Sequence, residues 1–169
     1  MNKERKTIVI MFPFESIFNR VKEETSYIAE RTYDTEGKLK YEELVFDEEY
    51  LDKFLELFQD AQANITQSCS AYLIDNEDEA YVVNDVDYQD DKDFMLTLFV
   101  PKDFKSTLVK TVNSQIRQYL VAYVCYRWLE TKLTKQAEIF LGRADETLAD
   151  IVSNLEKGDY PKRLKYRLF

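Results

Sequence analysis

Nine carboxylates fall between Asp75 and Asp93 against the single cation Lys92, the densest set of metal-ligating and proton-transferring side chains in the chain. Asp75, Glu77 and Glu79 alternate as the acids of a calcium loop do, but Ala80 stands where that loop needs glycine and Val86 where it needs a bidentate Glu. Asp85, Asp87, Asp90, Asp91 and Asp93 are the set that would gather around a magnesium ion, which usually takes one or two carboxylates together with substrate phosphates. No glycine-rich phosphate loop accompanies them, and no nucleophile elbow or Cys-x-x-Cys occurs. The chain contains no histidine, which removes His-based triads, His metal ligands and the usual proton carrier near neutral pH. The expectation is a solvated acidic loop in a protein that is not an enzyme, with no metal and no cofactor. Cys69 and Cys125 have no metal-type spacing and read as small buried hydrophobes of an intracellular protein.

Two further groups of residues are of the binding type. The last eight residues interleave Lys162, Arg163, Lys165 and Arg167 with Leu164, Tyr166, Leu168 and Phe169. A merely solvated terminus has little use for a final Leu-Phe, so this tail reads as a partner-binding arm. Tyr119, Tyr123, Tyr126 and Trp128 would serve as a base-stacking platform, where stacking contributes ~1–3 kcal/mol per base. Their helical spacing favours a helix–helix core or a subunit interface instead, since Tyr and Trp are also what interface anchors are made of.

These groups sit on a chain whose charge is divided. Residues 1–104 carry 25 acidic and 11 basic side chains, whereas residues 105–169 carry 7 and 12. In an assembly of identical copies, such unlike surfaces set orientation and register more than affinity. With 169 residues, 45% hydrophobic and 33% charged, and only three Gly and three Pro, the chain is expected to form one ordered domain over residues 1–169. A chain of this size buries roughly 70% of its unfolded surface. An N-terminal arm over residues 1–12 and a docking tail over residues 159–169 complete the organisation. No apolar run approaches the ~20 residues of a membrane span. The start resembles a signal peptide only superficially, because its apolar run is short and Pro13, Phe14 and Glu15 replace a cleavage site. A net charge of −9 disfavours general binding to nucleic acid or anionic membranes.

The elements that must position these residues follow from periodicity. Over residues 14–31, Phe14, Ile17, Phe18, Val21, Thr25 and Ile28 form one helical stripe. Gly37 then supplies the freedom to reverse direction. Asp47 precedes Glu48 and Glu49 as an N-cap, and Leu51, Phe54, Phe58, Ala61 and Ile65 continue at alternating spacings of three and four. Ala80–Val83 and Phe94–Val100 are β-prone runs that read as a hairpin closed by Pro101. Ile8–Phe12 reads either as an edge strand or as an arm that pairs with another subunit. Val109, Val112, Ile116, Tyr119, Tyr123 and Tyr126, with Leu120, Val124 and Trp128 beside them, give a central helix with a wide apolar face. After a turn near residues 131–134, Thr134 caps an antiparallel helix carrying Ala137, Leu141, Ala144, Leu148, Ile151 and Leu155, which Gly158 stops. The predicted class is α+β and predominantly helical: a bundle of about four helices with a small β-hairpin.

That order of parts, with Asp93-Phe94-Met95-Leu96-Thr97-Leu98-Phe99-Val100-Pro101 before the long helix bearing Tyr123-Val124-Cys125-Tyr126-Arg127-Trp128-Leu129 and a basic tail at the end, resembles small virion proteins of Bacteroides-infecting tailed phages. These are head–tail connector or ring proteins, including those of crAss-like phages. The resemblance implies a structural protein of the virion, made in the host cytoplasm. It implies a dodecameric ring beneath the portal, contacts with portal and other tail or ring proteins, and DNA passing through the lumen without specific binding. A ring needs a heterologous interface, for which the charge split supplies unlike surfaces. Two other expectations compete. One is an acidic module that inhibits a host factor by imitating nucleic acid with Asp75–Asp93. The other is a carboxylate-dependent metal enzyme stabilised by divalent cations through Asp85 and Asp87.

Overall fold

Helix α1 (Phe14–Ala29) forms where the stripe places it, burying Phe14, Ile17, Phe18, Val21 and Thr25 on one side. Pro13 holds the extended conformation that precedes it and offers no side-chain cap. The cap comes from far along the chain: the Phe14 N–H donates to Asp93 Oδ1 at 2.8 Å, which satisfies one of the donors every helix N-terminus leaves free. The structure, a computed structural model, describes residues 4–73 and 92–159. After α1 the chain reverses through Asp34–Lys38, where Gly37 has φ +80° and Asp34 Oδ1 accepts from the N–H groups of Glu36 and Lys38 at 2.8 Å each. A one-turn helix α2 (Tyr41–Leu44) leads to the buried triplet Leu44, Val45 and Phe46. Asp47 then caps as expected, its carboxylate accepting from Glu48 N at 2.6 Å. The short 3-10 turn Glu48–Tyr50 runs straight into α3 (Leu51–Ser68).

Strand β1 (Arg5–Phe12) pairs antiparallel with β2 (Phe94–Pro101), in a register that runs from Arg5 opposite Pro101 to Phe12 opposite Phe94. Of the two expectations for Ile8–Phe12, the strand within the same chain is therefore the one realised. The two-stranded sheet joins segments far apart in sequence. Ala80–Val83, the other run assigned to a hairpin, lies outside the described residues. Ile10, Phe12, Phe94, Leu96, Leu98 and Val100 alternate onto the buried face, and Phe12 stacks on Phe94 at 5.6 Å.

Helix α4 (Ser106–Leu129) occupies the centre and packs against α1, α3 and α5 (Thr134–Asp159). Asn154 Nδ2 donates to Gln115 Oε1 at 3.0 Å, far from the short turn that joins Leu129 to Thr134, so α4 and α5 run antiparallel as expected. Two boundaries move. Thr134 is the first residue of α5 rather than its cap, and the helix continues through Gly158 to Asp159. The predominantly helical α+β class stands, with four long helices and a small antiparallel sheet among the described residues.

The core is unusually aromatic around residue 46. Phe46 packs against Phe54 at 5.6 Å and Trp128 at 4.2 Å, and Phe54 meets Phe14 edge-on at 5.0 Å and Phe18 at 5.1 Å. Such pairs contribute ~0.5–1.5 kcal/mol each beyond the area they bury. A buried loop must also find partners for its peptide groups. Here side chains from α1, α4 and the turn that follows α4 supply them. The Phe46 N–H donates to Thr25 Oγ1 at 3.0 Å, Trp128 Nε1 donates to the Leu44 carbonyl at 2.8 Å, and Lys132 Nζ donates to the Glu43 carbonyl at 2.8 Å.

Candidate functional site

The residues singled out by sequence separate on folding. Trp128 and Tyr119 are buried, while Tyr123 and Tyr126 are half-buried at the margin of the core. Burial pushes the Tyr119 hydroxyl up to about 12, against the effect of its hydrogen bond with Asn64. Tyr123 stands 5.8 Å from Tyr119 and 6.2 Å from Tyr126, and its hydroxyl accepts from Arg127 Nη1 at 3.3 Å. Of the acidic cluster, Asp93 is the helix cap described above. Its other eight carboxylates, from Asp75 to Asp91, lie outside the described residues, as does the tail Lys162–Phe169. Among the described residues, no three His, Cys, Asp or Glu side chains converge as metal ligands. Cys69 and Cys125 are free and buried; desolvation pushes the Cys69 thiol up to about 11 and the Cys125 thiol higher still, so neither is a ready thiolate.

Folding instead assembles a groove that no single stretch of sequence contains. It is a cavity of about 370 Å³ where α1, α4 and α5 meet. From α1 come Ser16, Arg20 and Glu24, spaced four apart and so aligned along one flank of the helix. Helix α4 contributes Arg117, Gln118, Val121 and Ala122, and α5 contributes Phe140, Arg143 and Thr147. The floor is apolar, with Val121, Ala122 and Phe140 all buried. Three guanidiniums stand around it against the one carboxylate of Glu24.

Each guanidinium is held differently. Arg117 Nη1 donates to Ser16 Oγ at 2.8 Å. Arg143 lies over the Phe140 ring, 5.3 Å from its centroid, a stacking that desolvates one face and leaves the edge donors free. Arg20 pairs along its own helix with Glu23 at 2.8 Å and Glu24 at 3.4 Å. Among the described residues, no carboxylate lies within ion-pair distance of Arg117 or Arg143. Guanidinium forks match carboxylates bidentately. The groove can therefore receive an anionic group together with an apolar one, on a protein whose net charge is −9.

A second surface has the opposite chemistry. Tyr41–Asp52 carries six carboxylates and no cation, raised on the buried footing of Leu44, Val45 and Phe46. Lys22 Nζ bridges two of them, Asp47 at 3.2 Å and Glu48 at 2.8 Å. Hydrogen bonding with Glu48, through its side chain and its N–H, and then with Lys22 lowers the Asp47 carboxyl from 3.8 to about 2. Glu42, Glu49 and Asp52 are exposed and have no ion-pair partner among the described residues. Tyr41, Tyr50 and Leu51 are exposed beside them. Beneath this ridge, Lys132 sits 3.0 Å from the Trp128 ring centroid, and burial lowers its ammonium pKa to about 8 against the pull of Glu43.

The groove and the ridge face away from each other. Arg20 and Lys22 are two residues apart on α1, about 200° around the helix, with Arg20 turned to the groove and Lys22 to the ridge. A third surface is apolar: Val9, Met11 and Met95, on the outer face of the sheet, are 56%, 56% and 57% exposed. The sequence signal for the groove was the surplus of base after residue 104, but not its place, because the three guanidiniums come from helices distant along the chain. No family model matches the chain, and no curated protein or solved structure is significantly similar to it.

Proposed function

We propose that the protein is a non-catalytic assembly part, a head–tail connector subunit that forms a ring between portal and tail of a tailed-phage particle. The observation that carries the reading is the presence on one chain of an arginine-rimmed groove and an acidic ridge on opposite flanks of α1. Head-to-tail association of identical copies uses two different surfaces, and closes into a ring when the rotation between neighbours divides the circle. The connector assignment draws further support from the resemblance in the order of helices, strand and aromatic positions. The reading expects peptides of this chain in purified virions, at many copies per particle. A chain found in infected cells but missing from purified particles overturns it in favour of a host-factor inhibitor.

A further inference from the structure

The groove is built to hold something that the described residues do not supply. Arg117 and Arg143 present donors on a rim that no carboxylate of the described residues neutralises, above a floor that accepts an apolar group. The complementary shape of charge exists elsewhere on the same molecule, in the ridge where Glu42, Glu49 and Asp52 have no ion-pair partner among the described residues and stand beside exposed Tyr41 and Leu51. The ridge cannot reach the groove of its own chain. It is anchored to the far flank of α1 by Lys22, by the Thr25 hydroxyl under Phe46 and by Trp128 under Leu44.

We propose that the occupant of the groove is the acidic ridge of a second copy, so that copies associate head-to-tail with Glu42, Glu49 and Asp52 of one against Arg117 and Arg143 of the next. This deepens the assembly reading and rests on it, by assigning its homotypic contact to particular residues. Each copy then carries one used groove and one used ridge, and only the terminal members of an open chain are left with a free surface. Because the contacts are exposed, association weakens with salt, over a Debye length of ~10 Å at 0.1 M.

The test uses the full chain and two charge-reversed variants, R117E/R143E in the groove and E42K/E49K/D52K in the ridge. These positions are exposed or half-exposed, and an unchanged helical circular-dichroism signal verifies folding. Multi-angle light scattering across a concentration series is the readout. The wild-type chain should self-associate, less so in high salt. Each variant alone should have lost that association by about tenfold or more, the exposed pairs being replaced by repulsion. An equimolar mixture of the two variants, at the top of the concentration series, should regain association, because the intact groove meets the intact ridge and the two reversed surfaces are again opposite in charge. A wild type that stays monomeric at its highest soluble concentration overturns the proposal. So does a variant that associates as the wild type does, or a mixture that forms no complex. Absence from purified particles, in contrast, would remove the connector reading and leave the groove–ridge contact to be judged by the scattering alone.

Discussion

Thr25 is the one buried polar side chain among the described residues, and replacing it tests how the ridge is fastened to the body. Its hydroxyl donates to the Val21 carbonyl at 2.9 Å and accepts the Phe46 N–H at 3.0 Å. Thr25→Val conserves shape and β-branching, so it removes little but the acceptor. Val21 O keeps its helical partner, whereas the Phe46 N–H is left buried with none, which costs ~1–3 kcal/mol. Thr25→Ser keeps the hydroxyl and removes one methyl group, worth ~0.8 kcal/mol of burial. Valine should therefore destabilise more than serine, the reverse of the order hydrophobicity alone gives. Urea unfolding followed by circular dichroism should show the Thr25→Val midpoint lowered by about 1 M with the slope unchanged. A Thr25→Val chain that unfolds at the wild-type midpoint, or above that of Thr25→Ser, would refute the reasoning.

Trp128→Ala should cost ~3–5 kcal/mol in the same assay, a large part of a domain stability of ~5–15 kcal/mol. Trp128→Phe should cost ~1–3 kcal/mol, the ring being retained while the Leu44 carbonyl loses its donor; equal losses for the two would mean that the 4.2 Å packing on Phe46 contributes nothing. Asp47 gives a pH prediction. Its carboxyl is lowered from 3.8 to about 2, so its ionised form stabilises the fold above its unfolded value and that contribution is lost as pH falls through the folded one. Asp47→Asn keeps the cap and removes the charge. The melting-temperature gap between wild type and Asp47→Asn should be full above pH 3.8 and close towards pH 2; a gap independent of pH would show that Lys22 and Glu48 do not act through the Asp47 charge.

Helical elements were legible because their apolar residues repeat with the turn of the helix. In α1, the residues from Phe14 to Thr25 that periodicity selects are those found buried. The same holds in α5, where Ala137, Ala144, Ile151 and Leu155 of the stripe are buried; Leu141 is only half-buried, and Phe140, one residue before it, is buried as well. Strand β2 was legible from its β-prone run, but its partner β1 was open between two readings, since pairing over such a separation leaves no local trace. Leu44–Phe46 went unnoticed because a buried loop has no period, although its dependence on Thr25 and Trp128 makes it part of the core. The cap from Asp93 to Phe14 was hidden by an acidic stretch that reads as solvated. The division of charge was legible along the chain, yet its meaning in space depended on α1, whose 3.6-residue turn sends Arg20 and Lys22 to opposite sides.

Magnitudes decide what kind of assembly these surfaces can support. Exposed guanidinium–carboxylate pairs contribute ~0.2–1 kcal/mol each, so the pairs made by Arg117 and Arg143 fall well short of the ~8 kcal/mol of a micromolar complex. Val121, Ala122 and Phe140 are already buried in the free chain, and so gain little on docking. Fresh apolar burial must come chiefly from Tyr41 and Leu51, at ~25 cal/mol per Å². A single groove–ridge contact is therefore weak, and the repulsion between copies of net charge −9 opposes it further. Closure changes the balance, because in a ring every copy is held by two contacts and the last contact forms within one particle, at a high effective concentration. On the connector reading this division is useful: pairs that form at high concentration come apart on dilution, and the closed ring persists where a neighbouring ring gathers the copies and orients them. Charge reversal at Arg117 and Arg143 should then weaken an isolated pair by about tenfold and a closed ring further still, since each copy in the ring loses its groove at once.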